Sequence, residues 1–241
     1  QISPGLDTYV DGTGWGASSW GDGTFGSSSA IGSNNQLRLW SMDSFGEDLI
    51  ACPRGGSIYY WDYTNASTRA IALADLAGAN LAPTLGLQVL ISDVDRHVVI
   101  LGADPINATA SGRTGAIDPL LVAFSDQENA AEWEPLSTNT AGSLRCSAGS
   151  QIIGGLRARQ ETLIWTDVAL YSLQFIGAPL TFGLTLINEG ISLIGPNAPV
   201  NTPTGIFWMD KKGFYAYQGS VQPIPCSVHS YVFDDLNEGQ A

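Results

Sequence analysis

Positive charge is scarce in this chain of 241 residues, where 10 Lys and Arg face 23 Asp and Glu for a formal net charge of −13. A protein that grips nucleic acid by its backbone neutralises phosphates with clustered cations. Here the cations that come close in sequence are Lys211-Lys212 and the alternating Arg157 and Arg159, a pattern that argues against tight DNA binding. A negative surface past which DNA slides is compatible with the same charge. Histidine is nearly missing, with only His97 and His229. The three cysteines, Cys52, Cys146 and Cys226, give no Cys-x-x-Cys pair and no zinc spacing, and an odd number cannot all pair within one chain. They are expected as buried, reduced thiols that pack as small hydrophobes. No apolar run reaches the roughly 18–20 residues of a membrane-spanning helix. The opening Gln1-Ile2-Ser3-Pro4-Gly5 has neither an initiator Met nor a basic-plus-apolar leader. A processed product or a portion of a longer chain is therefore expected.

Catalytic patterns are equally sparse. There is no Gly-x-Ser-x-Gly elbow, and Gly12-Thr13-Gly14 and Gly21-Asp22-Gly23 lack the helix and Lys of a phosphate loop. His97 follows Ser92-Asp93-Val94-Asp95-Arg96, which reads as a capped hairpin turn leading into a strand rather than as a Ser-His-Asp or metal arrangement. Glycoside hydrolysis needs two carboxyl groups across a cleft, for which Asp126, Glu128, Asp167 and Asp210 are the candidates. Three of these sit at a repeated corner described below, where a structural duty is the simpler reading. Glu132 and Glu134 flank Trp133 as a sugar platform or, the preferred reading, as a polar turn with its Trp tucked inward. Calcium at Asp93 and Asp95, or at Asp234 and Asp235, is a weaker reading than solvated carboxylates. No catalytic, cofactor-binding or metal-ligating residue is expected, and the chain does not read as an enzyme.

What is present is 44% hydrophobic sequence with 28 glycines and 12 prolines, enough apolar matter for a substantial core. Residues 1–35 stand apart as a Gly/Ser-rich arm with aromatics at regular steps, Trp15-Gly16, Trp20-Gly21 and Phe25-Gly26. The step fits neither helix nor strand, and the arm reads either as an inter-subunit contact made by Trp15, Trp20 and Phe25 or as a flexible leader. Residues 36–241 read as a β domain. Hairpins are predicted for 48–52 with 57–61, for 87–91 with 97–101, and for 152–158 with 162–165. Further strands are predicted at 120–124, 170–175, 206–208 and 214–217. A helix is predicted at 67–76, a single turn at 129–133 and the start of a short C-terminal helix at 231–236.

A repeat runs through this domain. Leu163-Ile164-Trp165-Thr166-Asp167 is answered by Ile206-Phe207-Trp208-Met209-Asp210, about 43 residues further on. Val122-Ala123-Phe124-Ser125-Asp126 is a looser copy and Tyr59-Tyr60-Trp61-Asp62 a degenerate one. Such spacing is that of stacked four-stranded blades. The predicted corners are therefore Trp61 and Asp62, Phe124 and Asp126, Trp165 and Asp167, and Trp208 and Asp210, the aromatic filling the gap between blades and the Asp capping a turn. A β-sandwich with coincidental Trp-x-Asp turns is the alternative. The expectation is an all-β, propeller-like array of about four blades. Whether the ring closes within one chain or with another chain stays open.

Three segments, Leu37–Leu49, Ser125–Trp133 and Asn139–Leu144, together with the Gly-Trp-Gly arm and Tyr231–Asn237, resemble the tail nozzle and packaged-DNA-stabilisation proteins of short-tailed bacteriophages. The likeness covers most of the chain. It implies a propeller-type structural protein of the virion tail, set in a ring of copies below the portal and adaptor. Such a ring would retain packaged DNA, pass it transiently and without sequence preference during ejection, and touch other tail proteins on its adaptor and distal sides. Members of this kind are usually longer, so the chain is expected to be a segment or a short relative. A host-surface carbohydrate-binding module is the alternative function, and a tail-associated glycosidase a third.

Overall fold

The computed structural model describes residues 39–92, 95–177 and 179–234; the aromatic arm with Trp15, Trp20 and Phe25, and the segment 235–241, lie outside the described residues. Among the described residues, short runs of β-branched and aromatic residues between Gly and Pro turns become eighteen strands. They are β1 (Trp40–Phe45), β2 (Asp48–Pro53), β3 (Gly56–Ser57), β4 (Tyr59–Trp61), β5 (Ile71–Ala72) and β6 (Leu85–Gly86). Next come β7 (Gln88–Ile91), β8 (Val98–Leu101), β9 (Leu121–Phe124), β10 (Gly142–Arg145), β11 (Ile152–Arg157) and β12 (Thr162–Thr166). The last are β13 (Ala169–Gly177), β14 (Thr181–Glu189), β15 (Val200–Thr202), β16 (Gly205–Asp210), β17 (Gly213–Tyr217) and β18 (Val221–Ile224), followed by the helix α1 (His229–Phe233).

The strands pair with their sequence neighbours into four-stranded antiparallel sheets, in the orders β1-β2-β4-β5, β7-β8-β9-β10, β11-β12-β13-β14 and β15-β16-β17-β18. The two-residue strands β3 and β6 pair separately through Gly56 and Gly86. Three apolar clusters join the sheets in sequence. Ile50 and Cys52 of the first sheet meet Val89, Ile91 and Ile100 of the second. Val99, Val122 and Phe124 on the second meet Ile164, Tyr171 and Phe182 of the third. Leu163, Trp165 and Leu170 on the third meet Ile206 and Trp208 of the fourth. The two middle sheets therefore bury both faces, which is why β8, β9 and β12 are apolar and buried at almost every position.

Polar side chains stitch the first strands of the sheets side by side. The Val89 amide donates to Ser41 Oγ at 2.9 Å and the Ile91 amide to Asp43 Oδ2 at 2.8 Å. Gln88 exchanges two hydrogen bonds with the backbone of Gly155, each 2.8 Å long. Arg157 donates to the Ile91 carbonyl at 3.0 Å and lies 3.3 Å from Asp43 Oδ2, while Asn201 donates to the Arg157 carbonyl at 3.0 Å. The order of these bonds sets β1, β7 and β11 running in the same direction. Each polar group satisfies backbone that the ladders leave unpaired.

The predicted strands and hairpins are found, with wider or shifted bounds. The helix expected at 67–76 is not formed. Ile71 and Ala72 pair instead with Tyr60 and Tyr59, and Leu73 is buried at the head of a 3-10 turn, Leu73–Asp75. Within 129–133, Ala130 and Ala131 form a turn. No helix among the described residues is long and apolar enough to cross a membrane.

Candidate functional site

The predicted corners occupy two different places. Trp165 and Trp208 lie at matching positions on β12 and β16, the second strands of the third and fourth sheets. Both are buried and meet edge to face with centroids 5.3 Å apart. Phe124 and Trp61 instead belong to β9 and β4, third strands of their sheets. One repeating position for all four corners is thus corrected: the periodicity came from aromatic strand ends of either kind.

Each of the four Asp carboxylates accepts a backbone amide, near or far in sequence. Asp167 Oδ1 accepts from the Ser150 amide and its Oδ2 from Ser150 Oγ, both at 2.7 Å. This ties the β12–β13 turn to the connection from the second sheet. Burial alone would raise the Asp167 pKa, but these bonds hold it below the usual carboxylate value. Asp62 accepts from the Thr64 amide at 2.8 Å and heads the 3-10 turn Tyr63–Asn65. Asp210 is buried and accepts from the Lys211 amide at 2.6 Å. Asp126 accepts from the amide and hydroxyl of Thr140 at 2.8 and 2.6 Å. Asp126 follows a third strand, whereas Asp167 follows and Asp210 closes a second strand, so the chain direction puts Asp126 at the opposite end of its sheet from the ends that carry Asp167 and Asp210. Trp133 is buried, its indole donating to the Ala130 carbonyl at 2.8 Å. Glu132 and Glu134 both accept from the Asn80 side chain. No group of three His, Cys, Asp or Glu among the described residues is placed to hold a metal ion.

Two features escaped the sequence reading. One is a broad concavity of about 1110 Å³ in front of the first strands, which includes Met42, Leu90, Leu156 and the tip of the β11–β12 hairpin. Its charged side chains are Asp43 and Glu161 against Arg157 and Arg159, so the chain's acidity is not concentrated on this wall. At the tip, Glu161 accepts from the Ser172 hydroxyl and from Gln174 at 3.1 Å. Burial, and after it the bond to Glu161, pushes the Tyr217 hydroxyl up to about 12.

The other is a pair of apolar end faces. Residues paired directly across antiparallel strands share a face, so the register puts Trp40, Met42, Leu49, Ala51, Tyr59 and Trp61 together on the outer side of the first sheet. Trp40 is 53% exposed and Met42 61%. On the outer side of the fourth sheet the register groups Val200 with Phe207, and Met209 with Phe214 and Ile224. Phe233 of α1 packs on Phe214, centroids 5.5 Å apart, while Val200 is 53% exposed. A polar residue within each inner strand, Asp43, Gln88 or Arg157, was the signal that could have revealed the seam between sheets. Compared with models of protein families and with curated proteins, the chain matches none.

Proposed function

We propose that this chain is a structural, non-catalytic assembly module, a four-bladed section of a propeller-type array that is completed by further copies of itself. The observation that carries this reading is the pair of half-exposed apolar end faces. Each middle sheet buries one face against the sheet before it and one against the sheet after it. The free face of the first sheet is of the kind that receives a preceding sheet, and the part of the fourth sheet's outer face away from α1, around the exposed Val200, is of the kind that receives a following one. Joined head to tail, such faces make a heterologous contact that closes into a ring if the rotation allows. Two copies would bring together about eight four-stranded sheets, within the propeller range.

The biological setting proposed for this module is the tail of a short-tailed bacteriophage, in the nozzle ring that retains packaged DNA and conducts it outward. Support comes from the sequence resemblance and from a net charge of −13 that offers DNA few anchors. Cryo-electron microscopy of the intact particle tests it. A symmetric ring of this chain around the DNA axis is expected; a peripheral position with Trp40 and Met42 in solvent would overturn it.

A further inference from the structure

We propose that α1 is a displaceable cap on the fourth sheet, an autoinhibitory contact that covers part of the end face until a second copy of the chain takes its place. The inference rests on the head-to-tail reading above and adds a control to it. Strand register identifies what the helix covers. Trp208 faces the third sheet, so its neighbours in β16, Phe207 and Met209, face outward. Met209 lies across from Phe214 in β17, and Phe214 across from Ile224 in β18. On the third sheet the corresponding pair beside the β12–β13 turn is Trp165 across from Leu170, and the fourth sheet buries it. On the fourth sheet Phe214 meets Phe233 of α1 instead, with centroids 5.5 Å apart at 66°. The helix therefore sits where a following sheet would pack.

α1 is held lightly. It has five residues, its N-cap makes no side-chain hydrogen bond, and none of its residues is buried. A helix this short is marginal without packing. The Phe233 ring rests on Phe214, and His229 Nε2 donates to the Lys212 carbonyl at 2.9 Å. The His229 ring lies 4.6 Å from that of Phe233, so the two contacts hold and release as one. Tyr231 points away, 86% exposed. The outer face of the first sheet, with Trp40 53% exposed, stays open to compete for Phe214 of another copy. A capped end binds only in the fraction of molecules whose cap is open, and the apparent affinity falls by that fraction. A cap open in about one molecule in ten weakens assembly about tenfold.

Sedimentation equilibrium of the full chain, joined to hydrogen exchange, tests the cap. Phe233→Ala removes the ring that covers Phe214, and because α1 lies on the surface the sheets keep their packing. This variant should assemble about tenfold more tightly than the wild type, and Met42→Lys added to it should reverse the gain. The α1 amides of Val232 and Asp234 bond to the Val228 and Ser230 carbonyls. They should exchange faster in the assembled wild type than in its monomer. A wild type that assembles while Phe233→Ala assembles equally or less tightly would overturn the cap and leave the head-to-tail contact standing. Exchange that is unchanged or slower on assembly would do the same, because α1 would then belong to the contact. A chain that stays monomeric, Phe233→Ala included, would overturn both.

Discussion

His97 shows how one buried residue sets a pH response. Thr140 Oγ1 donates to Asp126 and accepts from the Gln127 amide. The 3.0 Å contact from His97 Nε2 to the same hydroxyl must therefore be an N–H donation, which leaves Nδ1 as the bare nitrogen. Nδ1 is buried without a partner, and burial lowers the His97 pKa against the smaller opposing pull of Asp126. Below about pH 6.5 the unfolded chain takes up a proton that the folded chain refuses, so this contribution to stability is lost as pH falls and is level above it. Asp95 acts in the other sense, because burial raises its pKa. Its contribution declines as pH climbs from about 3.9 through the raised value. His97→Gln keeps a donor toward Thr140 without titrating. In chemical denaturation at several pH values, the gap between the wild type and this variant should shrink as pH drops from about 7 to 5; a constant gap would refute the assignment.

The thiols are a second case at this scale. Burial pushes Cys52 and Cys146 up to about 12, whereas Cys226 is partly exposed. A thiol reagent at neutral pH should label Cys226 in the native protein and the other two only after unfolding, because the thiolate is the reacting species. Rapid labelling of Cys52 or Cys146 in the native state would contradict this.

At the scale of elements, the links between sheets matter more than the strands themselves. Asp167→Ala removes the tie between the β12–β13 turn and Ser150 and should cost about 1–3 kcal/mol. Hydrogen exchange should quicken at the Ser150 and Gln151 amides. Gly149 sits beside this tie at a φ of +109°, and an added Cβ would lie 2.6 Å from Asp167 Oδ1, so Gly149→Ala combines backbone strain with a clash. For Trp208, the indole nitrogen is buried without a partner, and Trp208→Phe should be milder than Trp208→Ala, for which about 3–5 kcal/mol is expected. Similar losses for the two would mean that the ring does not act through packing area.

Elements of this kind were legible in the sequence to unequal degrees. β8, β9 and β12 announced themselves because both faces are buried and their residues are almost all apolar. β14 mixes Thr, Gly and Asn with its apolar residues and is half exposed, and β10 exposes alternate residues; neither offered a continuous apolar run. The stretch 67–76 misled because its Ala and Leu residues favour helix, while pairing with Tyr59 and Tyr60 decided the outcome.

At the scale of the molecule, the ends of the array decide its behaviour. A lysine on an end face must lose its hydration when another sheet packs there, yet costs the isolated chain little where the residue is already 61% exposed. Met42→Lys should therefore leave the unfolding midpoint nearly unchanged while lowering the assembled fraction. Equal assembly by the variant would place the contact elsewhere. Sedimentation equilibrium of the purified chain over a wide concentration range then bears most directly on the proposed pairing of end faces between copies. A discrete closed oligomer, of which the dimer is the smallest, is expected. A monomer at every concentration, with the end faces left in water, would contradict it.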